Sequence, residues 1–486
     1  MSISKHFKGQ SLTNDQQKLL TELEEFILTD LSSVFLLKGY AGTGKSYIMT
    51  GVTRYLKSLN KDFVIVAPTG KAAKVIANKT KSKATTIHRV IYEFFEKDKE
   101  PVDEFISRKP DSLSYLSDNE DEPDNVYIID ESSMISDKFS TSEIGKFGSG
   151  YLLQDLLEYV DFKNHPRRKI IFIGDNAQLP PIRSLYSPAL KESLLRDIYG
   201  LRCQSCELTE VVRQKSESGV MKNALALRGA MASKESLDFK FDTTFEDVCS
   251  LPEDGFVGKY IELCEGDIKK TDNITIITKT NKKAGDYIHD IRAKLFHPAA
   301  PIQVNEKVMC VKNFSIEHNF ISNGEFGRVT KIVSEVEYRN IEIQEKLPTK
   351  ILVTPVELKF IDLEIEFRDD YGKPYLITQK VLLNLMYESI PRLEGVLYQA
   401  LRADFNKRFK THYKPLRIEY KEAKKVDPYW NFIHLKFGYA ITCHKAQGSE
   451  WKHVFVDVHR YGEIDKDYRW LYTAITRTSD KLYISQ

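Results

Sequence analysis

Cysteine is scarce in this chain, at six residues in 486. So few cannot staple a chain of this length, which excludes a disulfide-built scaffold and points to a reducing compartment. The pair Cys203 and Cys206 forms a lone CxxC, without the second pair or flanking histidines that a zinc site needs. Long apolar runs are missing as well. None approaches the roughly 20 residues that cross a bilayer, and the opening MSISKHFKGQ does not read as a signal peptide. A cytoplasmic protein is expected. An excess of one charge is also lacking: 71 Lys and Arg against 69 Asp and Glu leave a formal net charge of +2, which selects no partner. No short-period internal repeat is present.

What is present fits a globular chain, with 42% hydrophobic and 29% charged residues. The length suggests roughly three domains. Charge is unevenly placed along it. Residues 96–124 carry eleven Asp and Glu against four Lys and Arg, and residues 401–425 carry nine Lys and Arg against three Asp and Glu. Such runs are usually solvated faces. The basic one is interleaved with Phe405, Phe409, Tyr413 and Tyr420, which would also suit contact with phosphates and bases.

Apolar spacing predicts an amphipathic helix from Asn14 to Leu28, with Leu19, Leu20, Leu23, Phe26 and Ile27 on one face. A short apolar strand from Val34 then runs into a glycine-rich turn and a helix from Lys45. Strand-like runs recur at Phe63–Ala67, Val126–Asp130 and Ile170–Ile173, each followed by turn or helix signals. This alternation implies a mostly parallel, doubly wound sheet. A second set follows: Ile274–Thr278, a helix at Lys282–Leu295, Val454–Val458 and Lys481–Ser485. Between them, residues 301–380 are rich in Val, Ile, Thr and Tyr with Asn-Gly and Tyr-Gly turns, and read as an antiparallel insert. Residues 381–426 read as helical and basic. The acidic segment 96–124 reads as an insertion in the first sheet domain.

Residues 39–46, GYAGTGKS, fit GxxxxGK[ST] between a predicted strand and helix, the context that motif requires. Glycines at Gly39, Gly42 and Gly44 let backbone N–H groups approach phosphates, Lys45 reaches the β and γ oxygens, and Ser46 can ligate Mg²⁺. Asp130 and Glu131 close the strand beginning at Val126, at the tip where ligands bind parallel sheets. Asp130 would hold the Mg²⁺ site and Glu131 would orient and deprotonate the attacking water. The plainer alternative is a solvated acidic pair capping the next helix. Residues 170–182, IIFIGDNAQLPPI, form a third strand and polar turn, in which Gln178 could sense the γ-phosphate. An ordinary strand and turn with structural prolines is the alternative there. Arg213, in LTEVVRQ at 208–214, and Arg477 could stabilise charge on the transferred phosphoryl group, though spacing alone selects neither.

The ordered set Gln16, Gly39–Ser46, residues 67–73 (APTGKAA), residues 84–89 (ATTIHR), Asp130, Glu131, residues 174–181 (GDNAQLPP), Arg213, residues 444–450 (HKAQGSE) and residues 474–477 (AITR) resembles superfamily 1 DNA helicases. The likeness is to the RecD-type and phage Dda-type branch, superfamily 1B, and runs over nearly the whole chain. It implies ATP and Mg²⁺ as cofactors and single-stranded and forked DNA as partners. Gln16 looks like an adenine reader. Thr43 lies in the phosphate loop. Pro68, Thr69, Thr86 and His88 resemble the family's single-strand contacts on the first domain, and Asn281, Thr442 and His444 those on the second. Gln447 and Gly448 would couple that strand to the ATP cleft, Glu450 would touch the ribose, and Arg213 and Arg477 would reach the γ-phosphate from the second domain.

The implied architecture is α/β. Two RecA-like P-loop domains with parallel sheets occupy residues 1–92 with 124–205 and residues 206–300 with 431–486. A small pin insertion falls at 93–123, and an SH3-like β insertion with a helical extension at 301–430. The pin segment is acidic here, so its tip is expected at Phe105 and Ile106 with the charges facing away. No nuclease-like acidic constellation accompanies the motifs. The implied activity is ATP-dependent unwinding with 5′→3′ movement along single-stranded DNA, in a bacterial cell or phage-infected host. A monomer suffices for it, and single-strand-binding or replication and repair proteins are the expected protein partners. Two alternatives stand beside it: a translocase that strips proteins with weak unwinding, and a P-loop ATPase that remodels proteins.

Overall fold

Runs such as Lys169–Gly174 are buried along their whole length, which in a strand means that both faces are covered. In the computed structural model six strands make an all-parallel sheet ordered Ala84–Thr86, Phe63–Ala67, Val126–Ile129, Lys169–Gly174, Val34–Gly39, Cys203–Leu208. Helix Asn14–Leu28 covers one face through Leu19, Leu23 and Phe26, joined by Ile48, Met49 and Val52 of helix Lys45–Ser58. Leu153, Leu156 and Leu194 cover the other face over Leu36, Tyr127 and Phe172. The structure describes residues 2–7, 11–94, 112–140, 146–212, 218–233, 239–297, 300–316, 319–346, 351–369, 372–389, 392–409, 418–458 and 462–485.

The chain divides into two compact units. One comprises Met1–Val248, Gln447–Ser449 and Arg460–Arg477; the other comprises Cys249–Ala446, Glu450–His459 and Thr478–Gln486. The division does not fall at 205/206, because Cys203–Leu208 is the sixth strand of the first sheet and helix Gly219–Ser233 packs on helix Ile464–Ile475. The C-terminal helix therefore groups with the first unit, whereas the sequence reading put all of 431–486 in the second domain. No helix among the described residues is long and apolar enough to cross a membrane.

At the pin position, Tyr92–Phe94 pairs antiparallel with Ser112–Leu116, and Lys146–Phe147 lies parallel to the latter. The expected tip, Phe105 and Ile106, lies outside the described residues. The C-terminal end of the acidic segment is anchored to the first unit. The Arg168 guanidinium, 1% exposed, donates to the carbonyls of Glu122 at 3.2 Å, Val160 at 3.1 Å and Asn119 at 3.4 Å. Lys61 pairs with Asp124 at 2.5 Å. Cys203 and Cys206 lie on opposite faces of their strand, one against each core layer. Residues three apart in a strand must do so, and both cysteines are free.

The second unit holds a sheet ordered Val248–Leu251, Thr478–Ser485, Trp451–Val456, Ile274–Thr278, Ala440–Thr442, the last four parallel. The insert forms an antiparallel sheet ordered Glu337–Lys346, Ile351–Arg368, Phe326–Ile332, Lys307–Cys310, Leu435–Phe437, with Pro374–Leu382 also on Ile351–Arg368. Gly324 and Gly372 supply its turns at φ 88° and 80°, where L side chains are strained. Val308, Val329 and Leu363 of the insert share one core with Ile276, Tyr439 and Phe455 of the parallel sheet.

Helices Leu383–Tyr387, Gly395–Arg408 and Ile418–Val426 follow. Their basic stretch is less free than its charge suggests. Arg408 binds Asp427 through two bonds of 2.6 and 2.7 Å and Asp404 at 2.8 Å. Phe405 has no exposed surface, and Tyr420 packs edge-on against it with its hydroxyl on Asn406 at 2.7 Å. These two rings belong to the core and are not open to stack on bases; Tyr413 lies outside the described residues.

Candidate nucleotide site and nucleic-acid contacts

The glycine-rich loop leaves strand Val34–Gly39 and enters helix Lys45–Ser58 with Gly42 and Gly44 at φ 78° and 86°. The left-handed backbone at Gly44 favours glycine, and a Cβ there would lie 2.7 Å from Gln16 Nε2 and push that amide aside. The N-terminal end of that helix presents free N–H groups and the positive end of its dipole, a ready anion site. Lys45 curls back over the loop, donating from Nζ to the carbonyls of Gly39 at 2.7 Å and Tyr40 at 2.8 Å. Burial lowers its ammonium pKa, and the charges of Asp175, Glu131 and Asp130 oppose that shift. Thr43 donates its hydroxyl to the Tyr40 carbonyl at 2.8 Å. Gln16 accepts the Thr13 N–H at 3.1 Å and donates to the Thr43 carbonyl at 3.0 Å. Both ends of its amide are thus engaged, and reading adenine would mean exchanging one of these bonds.

Asp130 and Glu131 follow strand Val126–Ile129, two places across the sheet from the loop strand. Glu131 stands at φ 50°, a left-handed conformation that is uncommon for a glutamate and concentrates at functional positions. Desolvation raises the Asp130 carboxyl pKa first, then the neighbouring Glu131 charge; Lys45 and Lys79 oppose the shift. Lys79 also donates to Ser46 Oγ at 3.4 Å. One ammonium thus already serves both Ser46 and Asp130, and this oxygen set suits Mg²⁺. That ion takes one or two protein oxygens plus phosphate oxygens, not an all-protein cage. Among the described residues no cluster of three or more His, Cys, Asp or Glu is arranged to hold a metal by itself.

Strand Lys169–Gly174 delivers Asp175 to Gln178 between these two strand tips. Gln178 is buried, and its Oε1 has no hydrogen-bond partner among the described residues, an orphan that a ligand or water would satisfy. The next residue, Leu179, is held from the C-terminal segment: its N–H donates to Thr473 Oγ1 and its carbonyl accepts from Gln447 Nε2, both at 2.8 Å. Gly448 stands at φ 69°, where a Cβ would lie 3.1 Å from that of Ala72 and 3.8 Å from Glu131 Cγ. Arg477 is buried, bonded to the carbonyls of Thr473 at 3.0 Å and Ser449 at 3.4 Å and to Thr476 Oγ1 at 3.2 Å.

The first unit therefore brings Gln16, Lys45, Ser46, Asp130, Glu131, Gln178, Gln447, Gly448 and Arg477 into one body. Arg477 does not come from the second unit as expected, because helix Ile464–Ile475 is packed into the first. Glu450 begins the second unit's segment Glu450–His459 and is exposed. Arg213 lies outside the described residues. The sequence holds Asp175 within the GDNAQLPP motif without a role of its own, and sequence reasoning assigns none to Tyr472 or Arg228, the last with only a generic arginine to mark it.

The residues expected to touch nucleic acid occupy adjacent strand tips. Ala67 and Thr86 are in register on neighbouring parallel strands, so Pro68–Thr69 and Thr86 emerge side by side. Thr69 and Thr86 also cap the helices Gly70–Thr80 and Ile87–Ile91, accepting the N–H of Ala72 at 3.2 Å and Arg89 at 3.3 Å. The His88 ring meets Phe147 edge-on at 5.2 Å, and desolvation depresses its pKa to about 4, leaving it neutral. In the second unit Thr278 and Thr442 are in register on parallel strands. Thr280 caps helix Asn281–Leu295, so Asn281 opens that helix beside Thr442. Burial also lowers the pKa of His444, on the short helix Cys443–Ala446.

A family model described as an AAA domain matches residues 11–242, and one described as a UvrD-like helicase C-terminal domain matches residues 437–485. The ATP-dependent DNA helicase dda of Enterobacteria phage T4 is 24% identical over 91% of this chain and 92% of its own length. The ATP-dependent RecD2 DNA helicase of Deinococcus radiodurans is 22% identical over 96% of this chain and 49% of its own length. Across the curated relatives it matches, the chain spans between 39% and 98% of their length. Among solved structures, Pif1 helicase from Bacteroides with ADP-AlF3 and ssDNA aligns over 98% of this chain and 93% of that one, at 14% identity and a TM-score of 0.44.

Fold and site together define a P-loop ATPase built on parallel sheets, with a helicase-type C-terminal segment. Within that class the chain is similar to DNA helicases of the RecD2 and Dda type.

Proposed function

We propose that this protein is an ATP-dependent DNA helicase that moves 5′→3′ on single-stranded DNA and separates duplex ahead of it. The observation that carries this reading is the gathering, in one unit, of a phosphate loop, two strand-tip acids, a buried glutamine whose side-chain oxygen has no partner among the described residues, and residues of the C-terminal helicase segment. Lys45 would leave the Gly39 and Tyr40 carbonyls for the β and γ phosphate oxygens. Ser46 and Asp130 would hold Mg²⁺, which when bound neutralises phosphate charge. Glu131 would take the proton of the attacking water, and the Gln178 amide would orient that water or the γ-phosphate. Arg477, on rotating away from its present carbonyls, and Arg213 would offset charge on the transferred group. Gln16 would select ATP, Gly448 would pack beside Glu131, and Glu450 would meet the ribose.

Pro68, Thr69, Thr86 and His88 on one unit, and Asn281, Thr442 and His444 on the other, would grip the strand. Because Gln447 holds the carbonyl next to Gln178, the phosphate state would be felt five residues from Thr442. The two units' holds on DNA would alternate as ATP is bound and hydrolysed, a population shift driven by differential contacts. Glu131→Gln tests the assignment: binding of ATP retained, with DNA-stimulated hydrolysis lowered by about 10²-fold or more. Full hydrolysis in that variant would remove Glu131 as the general base, and ATPase unchanged by single-stranded DNA would favour a protein-remodelling ATPase.

A further inference from the structure

The polar groups that close over the first turn of the phosphate loop come from far along the chain. Tyr472 donates its hydroxyl hydrogen to Asp175 Oδ2 at 2.5 Å and accepts the backbone N–H of Ala41 at 2.9 Å. The other carboxylate oxygen, Oδ1, accepts from Arg228 Nη1 at 2.5 Å and from the Ala177 N–H at 2.9 Å. The Arg228 guanidinium carbon lies 3.3 Å from the centre of the Tyr40 ring, and Nη2 reaches Glu207 at 3.2 Å. The direction of each bond is fixed, since a peptide N–H and a guanidinium only donate and a carboxylate only accepts. Asp175 has no exposed surface and Tyr472 has 1%. A carboxylate so buried is costly unless every partner stays in place, so the three side chains act as a set.

We propose that Tyr472, Asp175 and Arg228 are positioning residues of the ATPase, forming a relay that seats the Tyr40–Ala41 turn of the phosphate loop and ties it to the turn bearing Gln178. The relay rests on the ATP-site reading given above. Tyr472 takes up the Ala41 N–H, and Asp175 begins the turn that ends at Gln178, so neither end can shift without the other. Helices Gly219–Ser233 and Ile464–Ile475 carry Arg228 and Tyr472, which makes both helices part of the loop's seat. No member touches the reacting atoms.

Tyr472→Phe keeps the ring and deletes the one hydroxyl. ATP turnover would be measured with and without a thymidine oligonucleotide, alongside equilibrium binding of ADP. The relay predicts DNA-stimulated kcat reduced at least about tenfold with ADP affinity changed by less than about threefold. Arg228→Gln should give a similar loss, and the double variant should be no worse than the poorer single one, because both cut the same connection. Unchanged DNA-stimulated kcat in Tyr472→Phe, or losses that multiply in the double variant, would overturn the relay. If Tyr472→Phe fails to fold, Arg228→Lys keeps the charge but loses the fork across Asp175 and Glu207, and full DNA-stimulated turnover in it overturns the relay equally. An unaltered protein without DNA-stimulated ATPase would instead sink the motor reading itself, a separate and recognisable outcome.

Discussion

Gln16 does two things at once, and they can be separated. Its Oε1 completes a capping box with Thr13 at the start of helix Asn14–Leu28, and its Nε2 holds the Thr43 carbonyl inside the phosphate loop. Gln16→Ala deletes both bonds. At about 1 kcal/mol for each neutral hydrogen bond, the loss is roughly 2 kcal/mol. For a unit of this size that is a fall of roughly 4–8 °C in Tm. Gln16→Glu keeps an oxygen for the Thr13 N–H, the usual partner in this box. It removes only the donor to Thr43 and turns a carboxylate towards that carbonyl. Gln16→Glu should therefore keep the helix cap yet raise the KM for ATP by about tenfold, since the loop has lost its tether and a buried carboxylate now faces its carbonyl. Thermal melts and steady-state ATPase on both variants decide it. If Gln16→Glu kept the normal KM while Gln16→Ala did not, the helix cap rather than the loop bond would be what matters, and the reasoning would be refuted. The ratio of ATP to GTP turnover in the same variants tests the adenine-reading role.

Three other outcomes follow from single sites. Arg168→Ala leaves the buried Val160 carbonyl and the part-buried carbonyls of Glu122 and Asn119 without their donor and should cost about 2–3 kcal/mol in urea unfolding; a loss below about 1 kcal/mol would show that water replaces it. Gly448→Ala forces a Cβ into left-handed backbone against Ala72, so ATPase should fall with little change in Tm, and normal turnover would contradict the packing. The His88 pKa is depressed to about 4 from 6.5, so between those values the unfolded chain takes up a proton that the folded one refuses. Stability should fall as pH drops through that window, and His88→Phe should flatten the fall in unfolding curves taken at several pH values.

Much of the site was legible because each part sits at the tip of a parallel strand, where an apolar run followed by glycine or acid is a local signal. Gly39–Ser46, Asp130, Glu131 and Gln178 all obey that rule, and the sheet places them together. The Tyr472, Asp175 and Arg228 set was not legible, because its members meet across hundreds of residues and no spacing records the contact. Charge misled in residues 401–425, where Arg408 is committed to Asp404 and Asp427 and Phe405 to the core. The boundary at 205/206 failed for a related reason. Strand Cys203–Leu208 and the helix after it carry a pattern common to either domain, and only pairing with Val34–Gly39 assigns them.

The central claim is that ATP turnover at this loop moves the protein along single-stranded DNA. Unwinding of a forked duplex with a 5′ single-stranded tail, compared with a 3′-tailed one and with Lys45→Ala as control, tests it most directly. ATP-dependent separation of the 5′-tailed substrate alone, abolished in Lys45→Ala, is the predicted result. Separation that needs a 3′ tail would contradict the proposed direction, and no ATP-dependent separation of either substrate would contradict the helicase account.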